Sequence, residues 1–295
     1  MKQTIMSRVA AKNVVILLSV CVLVLGGCAG QSLNQDAMVR QMLAAREQQI
    51  QIAPLTHTFG SFSMDEAYHI QKALAQEVSA LLGPVAGYKV AYASRAAQEQ
   101  FDMDEPARGP FYLMQRVPTG STLPAEAFNE LTLETEIAFT IGKRIDRSIA
   151  DVAALKSHVK WVHAAFDAGD FPYKTDQAKP VPADMVAIGT GAHVFVFGPG
   201  INPEQVDIDN INLDLIRNGE TIRTRPASDI MGSPWNSLLW CVNHLHKYGL
   251  ALEPGMVVFS GTAAKAYKVK ATVDDIKGRY VGDCGALGKV TMTIE

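Results

Sequence analysis

The sequence predicts an α+β domain in which N-terminal helices precede a β-rich C-terminal core. Two observations carry this. Apolar residues recur at helical spacing up to Gly83, and from Val85 onward they alternate in short runs. Helices lead and strands dominate afterwards, which argues against a regular βαβ chain.

A first helix is expected over residues 36–51. The second is better delimited. Ser63 and Glu66 fit a capping box, in which each side chain takes up the other's free backbone N–H. Ala67, Ile70, Leu74, Val78 and Leu81 then form one face, and Gly83 ends the run. Tyr88, Val90 and Tyr92 alternate with Gly87, Lys89 and Ala91, the mark of a strand. A short helix over 94–101 leads into a loop rich in Pro and Gly. Leu131–Ile141 is the clearest strand, with Leu131, Leu133, Ile137, Phe139 and Ile141 on one face. Further strands are expected at 159–167, 193–197 and 211–218. Asn218-Gly219 signals a hairpin, because a type I′ turn needs positive φ at both central residues. Ser233 as cap, Pro234 in the first turn and Gly249 at the end bound one late helix, whose apolar stripe includes Trp235, Leu238 and Val242. Short strands at 256–260, 267–271, 279–281 and 289–294 finish the chain.

A different kind of segment precedes the domain. Lys2, Arg8 and Lys12 lead into a short apolar run, residues 14–25, broken by Ser19. A membrane span needs about 20 apolar residues, so the pattern reads as a secretory signal over residues 1–27. Leu25-Gly26-Gly27-Cys28 has the form of a lipobox. Acylation of Cys28 would anchor the protein to a membrane, each buried methylene adding roughly 0.8 kcal/mol. An uncleaved anchor helix, or a plain signal with an incidental Cys, are the other readings. Residues 28–35 would form a tether and 36–295 the folded domain. Ala29 after the cysteine leans toward the outer membrane, facing the periplasm. The 27 basic and 30 acidic residues, net −3, form no nucleic-acid footprint. Cys241 and Cys284 could pair in an oxidising compartment or remain two buried thiols.

The most informative local pattern is Glu134-Thr135-Glu136. Residues i and i+2 of a strand share a face, roughly 6.6 Å apart. Two carboxylates side by side need solvent, a proton or a cation between them. A hard divalent cation is one solution, and a solvated strand face is the other. Elsewhere His244 and His246 do not share a helix face, and no Cys-x-x-Cys or His-Glu-x-x-His occurs.

An ordered set of motifs surrounds that pair. Gly87-Tyr88-Lys89-Val90, Ser94-Arg95-Ala96-Ala97-Gln98, Asp104-Glu105-Pro106 and Gly109 precede Glu134-Thr135-Glu136-Ile137-Ala138-Phe139. Met231-Gly232-Ser233-Pro234-Trp235-Asn236, Ser260-Gly261-Thr262 and Gly285-Ala286-Leu287-Gly288 follow. From about residue 60 to 295 the chain resembles the 2-keto-4-pentenoate hydratase branch of the fumarylacetoacetase superfamily. The resemblance implies a fumarylacetoacetase-like mixed β fold. It implies a hydro-lyase that takes a small 2-oxo or 2-hydroxy-dienoic acid and uses Mg²⁺ or Mn²⁺ as a Lewis acid. Glu134 and Glu136 would be metal ligands, and Lys89 would move a proton or hold the substrate carboxylate. Ser94, Ser260, Gly261 and Thr262 would contact substrate. A homo-oligomer is also implied.

Three departures stand out. The family's third metal ligand, a Glu shortly before an Asp, falls on Ala164 or Ala165. His163, Asp167 and Asp170 are nearby substitutes, and Asp167 is taken as third ligand although it does not stand at the matching place. Ala107 and Ser233 occupy positions where the family often has an acidic residue and a His. These departures motivate a second expectation, a periplasmic ligand-binding or structural lipoprotein of the same fold with impaired catalysis.

Overall fold

The computed structural model describes residues 29–176, 178–269 and 273–295. The segment read as a secretory signal and Cys28 lie outside the described residues.

Helix α1 (Ala29–Gln48) begins earlier than expected and takes in the stretch read as tether. The short α2 (Leu55–Phe59) was not foreseen. In α3 (Met64–Leu82) the capping box forms as the spacing predicts: the Ser63 N–H donates to Glu66 Oε2 at 2.7 Å, and the Glu66 N–H to Ser63 Oγ at 3.2 Å. Strand β1 (Val85–Ala91) follows, and Ser94 caps α4 (Arg95–Phe101).

The stretch expected as a Pro- and Gly-rich loop contains strand β2 (Ala107–Tyr112), antiparallel to β1. Its composition hid it. Strand β2 lies at a sheet edge, where Pro110 needs no ladder partner for its missing N–H. Gly109 is there for clearance, since a Cβ would lie 2.0 Å from the Gly189 carbonyl oxygen.

Then come β3 (Ser121–Leu123), β4 (Leu131–Ile141), α5 (Val152–Lys156) and β5 (Val159–Asp170). Strand β5 runs past its expected end at 167. Helix α6 (Pro182–Ala187) and β6 (Val194–Phe197) lead to the hairpin of β7 (Asn212–Arg217) and β8 (Glu220–Pro226). Asn218 and Gly219, at φ 52° and 86°, make the foreseen turn. Helix α7 (Pro234–Lys247) is capped by Ser233 as expected. The chain ends with β9 (Val257–Phe259), β10 (Tyr267–Lys268), β11 (Gly278–Asp283) and β12 (Lys289–Ile294).

The larger sheet has the order β2-β1-β9-β4-β5-β6, with β10 also pairing β4, and the smaller has the order β3-β12-β11-β7-β8. The apolar face of β4 packs on the smaller sheet and on α7. Phe139 meets the Trp235 ring at 5.0 Å, and Thr135 donates to the Asp214 carbonyl at 3.1 Å. Leu133, Ile137, Phe139 and Ile141 are all buried here, each contributing about 1.5–3 kcal/mol by leaving water.

The other face of the larger sheet turns inward. Its edge strands approach each other: the rings of Phe111 on β2 and Phe195 on β6 lie 4.4 Å apart, and an isolated bridge joins Arg116 to Phe195. The sheet is thereby curled, and its concave face is enclosed. Phe111, Ala138, Ala165, Phe195 and Phe259 form a small apolar cluster on that face. Helices α1, α3 and α6 pack with β2 in a separate core containing Met42, Ile70, Leu74, Val78 and Val186. Cys241 and Cys284 are both free, buried thiols, and burial pushes each up to about 12.

Candidate metal centre

The two-residue period of β4 puts Glu134 and Glu136 on the concave face, opposite the apolar row. The antiparallel register then decides what stands beside them. Asp167 on β5 lies across from Glu134, and Ala165 across from Glu136. Ala164 pairs with Ile137 and so belongs to the other face. Of the two positions left open by the sequence, Ala165 therefore faces the centre and brings no carboxylate. Asp167, one step further along the same face, brings one. Carboxylate oxygens of Glu134, Glu136 and Asp167 all lie within 4.8 Å of one another.

Lys89 reaches the cluster from β1. Its ammonium donates to Asp167 Oδ2 and lies 3.9 Å from Glu134 Oε2. Glu136 and Asp167 are wholly buried, and Lys89 nearly so. The Gly261 N–H donates to Glu136 Oε2 at 2.6 Å. Gly261 has φ +83°, and a Cβ there would lie 2.6 Å from the Ala93 methyl, so this approach demands glycine.

Three buried carboxylates face one ammonium, and the electrostatics follow. Burial above all, then the neighbouring Asp167, pushes Glu134 up to about 7 against the pull of Lys89. Burial and the same crowding hold Glu136 well above the usual carboxylate range. Asp167 is also raised by burial, with Lys89 opposing. Burial pulls Lys89 downward, but Asp167, Glu134 and Glu136 outweigh it and hold the ammonium charged. Glu136 Oε1 and Asp167 Oδ1 are buried without a hydrogen-bond partner among the described residues. Excess negative charge and unpaired oxygen atoms on converging carboxylates are what a hard divalent cation satisfies. The donor set fits such an ion.

The other expected residues fall differently. His163 spends both ring nitrogens, on Thr140 at 2.7 Å and on the Gly198 carbonyl at 2.9 Å. Asp170 accepts the backbone N–H groups of Asn129 and Glu130 outside the cluster. Neither joins the centre. Ser94 caps α4 and donates to the Ala264 carbonyl at 3.4 Å. Ser260 is buried and holds the Ile137 N–H at 3.2 Å. Ser260 and Gly261 thus support β4 and Glu136. Thr262 accepts the Ala264 N–H and lines a small cleft with Glu134, Arg223 and Arg225.

Three nearby residues escaped the sequence reading. Tyr92 is buried at φ +56°, and its hydroxyl has no partner among the described residues. Its alternation with Ala91 marked it as core, and nothing in the sequence distinguished it. Arg223 and Arg225 stand two apart on β8, a same-face pair of cations that the alternation of the hairpin could have disclosed.

Comparison with known proteins gives a consistent result. The 2-keto-4-pentenoate hydratase of Paraburkholderia xenovorans (strain LB400) is 28% identical over 220 residues, covering 74% of this chain and 81% of the relative. The 2-oxo-hept-4-ene-1,7-dioate hydratase of Escherichia coli is 24% identical over 223 residues, covering 74% and 84%. Among solved structures, 4-oxalocrotonate decarboxylase from Pseudomonas putida G7, complexed with magnesium and adipate, superposes with a TM-score of 0.80 at 18% identity, covering 90% of this chain and 98% of that one. Fumarylpyruvate hydrolase from Pseudomonas aeruginosa, in complex with Mn²⁺ and pyruvate, gives 0.52 at 18% identity, covering 72% and 90%. These similarities bear out the mixed α+β fold. The family model for the fumarylacetoacetate hydrolase C-terminal domain matches residues 85–285, from the strand of Lys89 through both glutamates to the last turn, and the chain belongs to that family.

Proposed function

We propose that this chain is a divalent-metal-dependent hydro-lyase acting on a small 2-oxo or 2-hydroxy-dienoic acid. The observation that carries the reading is the buried cluster of Glu134, Glu136 and Asp167 with the Lys89 ammonium against it. Relatives named as hydratases support the reaction class, and magnesium and manganese in solved relatives support the choice of ion. Glu134, Glu136 and Asp167 would hold Mg²⁺ or Mn²⁺. When bound, the ion supplies Lewis acidity toward the substrate's oxygens.

The chain's own residues supply the rest. Addition of water to a carbon–carbon double bond needs a proton at one carbon and hydroxide at the other. Lys89, buried and held charged by Asp167 and Glu134, is an electrostatic partner for an anionic substrate, and it can donate a proton at Nζ once a bound cation offsets the carboxylates that hold that proton. The Gly261 N–H keeps one oxygen of Glu136 fixed, which leaves the other free for the ion. The reading of an impaired binding protein rested on a missing third carboxylate and on the unusual compartment, and the presence of Asp167 in the cluster weakens the first of these.

The same proposal places the enzyme on the bacterial outer membrane through lipidated Cys28, facing the periplasm. Mass spectrometry of the mature N-terminus tests that part, and an unmodified Cys28 in an intact chain would reject it. The activity is tested by following hydration of 2-hydroxypenta-2,4-dienoate with Mg²⁺ or Mn²⁺. Wild type is expected to turn over, and Glu136→Ala to lose both turnover and calorimetric Mn²⁺ binding. An inert wild type that binds no metal would overturn the reading.

A further inference from the structure

On the outer side of β2, remote from the carboxylate cluster, the chain buries a second cation. Arg108 pairs with Val90 in the β1–β2 ladder, one residue out of phase with Lys89, so its side chain leaves the opposite face of the sheet. It enters the space between α3 and α7. Arg108 is 2% exposed, yet forms no ion pair among the described residues.

Its neighbours are neutral or aromatic. Arg108 Nε donates to His244 Nδ1 at 3.1 Å, and Nη1 donates to Gln71 Oε1 at 2.9 Å. The guanidinium carbon lies 4.7 Å from the Tyr68 ring centroid and 5.3 Å from that of Tyr248. His244 is pushed down to about 3, by burial first and then by this guanidinium, so it is a neutral acceptor and supplies no counter-charge. Nη2 makes no hydrogen bond among the described residues. Tyr68, itself 2% exposed, leans on the Arg108 backbone, but its hydroxyl has no partner at hydrogen-bond geometry.

A buried charge without an opposite partner is costly, and these two unpaired groups line one pocket. It opens past Tyr248 and Leu250, with Lys72 and Lys247 at its rim. Asp65 is also at the rim, but its carboxylate already accepts from the Tyr248 hydroxyl and from Lys247 at 3.4 Å. The interior therefore carries the Arg108 charge, and Tyr68, Tyr248 and Leu250 supply its apolar lining.

We propose that this pocket is a second binding site, for a small organic carboxylate with a planar body, its carboxylate on Arg108 and its body against the exposed side of the Tyr248 ring. A carboxylate can accept from the guanidinium edge at Nη2, which His244 and Gln71 leave open. Lys72 and Lys247 draw the anion in. The site is independent of the metal centre, which lies on the other face of the sheet.

The test is calorimetric titration of the full chain, stripped of metal with a chelator, using benzoate, acetate and inorganic phosphate as probes. Benzoate is expected to bind tighter than either comparator. Arg108→Met, checked for folding by circular dichroism, should weaken benzoate by roughly tenfold or more, the worth of one charge-assisted hydrogen bond. The exposed Lys72→Glu should weaken it by a smaller factor without threatening the fold. Glu136→Ala should leave it unchanged. Absence of benzoate binding to wild type, equal binding by Arg108→Met, or loss of binding in Glu136→Ala would each overturn the proposal. Tighter binding of phosphate would overturn the choice of an organic carboxylate.

Discussion

Glu136, fully buried, has one oxygen held by the Gly261 N–H and the other without a partner among the described residues. Its neighbour Glu134 is pushed up to about 7, chiefly by burial. Both carboxyl groups therefore hold protons in the folded chain at pH values where the unfolded chain has released them. The stability that Glu134 contributes to the metal-free protein is expected to be fully present below about pH 4.5 and to be lost as pH rises through about 7, with Glu136, also raised, adding a loss in the same direction. Urea unfolding at several pH values should show this fall. Saturating Mn²⁺ should abolish it, because the ion replaces the protons. Lys89 is the other residue with a defined task. Lys89→Met should lower turnover by about 100-fold or more, the range for a lost general acid, while Mn²⁺ still binds to the three carboxylates. Kinetics and calorimetry on the same preparation separate the two effects.

At the level of elements, the centre depends on contacts that hold strands and helices in register. Asp184 in α6 is fully buried and accepts three donors: the Thr56 N–H at 2.8 Å, the Thr56 hydroxyl at 2.7 Å and the Val181 N–H at 2.9 Å. It ties α2 to α6 and so closes the helical side of the molecule. Asp184→Ala would strand those donors, and a loss of about 3 kcal/mol is expected in denaturant melts. Gln71 does the same for α3, donating to the carbonyls of Arg108 and Val186 at 2.8 and 2.7 Å. The capping box and the Asn218-Gly219 turn were legible in advance because each is a local rule satisfied within four residues. Strand β2 was not, because Gly109 and Pro110 are tolerated only through its edge position and the close passage of Gly189.

The whole molecule is organised by the curl of the larger sheet. Closure brings β2 and β6 together and encloses the face that bears Lys89, Glu134, Glu136 and Asp167. Phe111, Phe195 and Phe259 meet at the seam, with ring centroids 4.4 to 5.8 Å apart. Phe195→Ala removes the central ring of that seam. A loss of about 3–5 kcal/mol is expected from a thermal or denaturant melt. Weaker Mn²⁺ binding should accompany it, since the carboxylates then gain access to water.

The sequence alone determined the α+β class, the helix caps, the apolar row of β4 and the placement of Glu134 and Glu136 on one face. All of these follow from periods and caps that act over a few residues. Through the family resemblance it also marked Lys89, and it took Asp167 as third ligand ahead of His163 and Asp170. That Asp167 stands beside Glu134 depends on the register between β4 and β5, which no local pattern encodes. The same register sets Ala165 against the centre and Ala164 away from it. The curl of the sheet then carries Lys89 across to Asp167, and burial within that curl sets the charge state of all four groups.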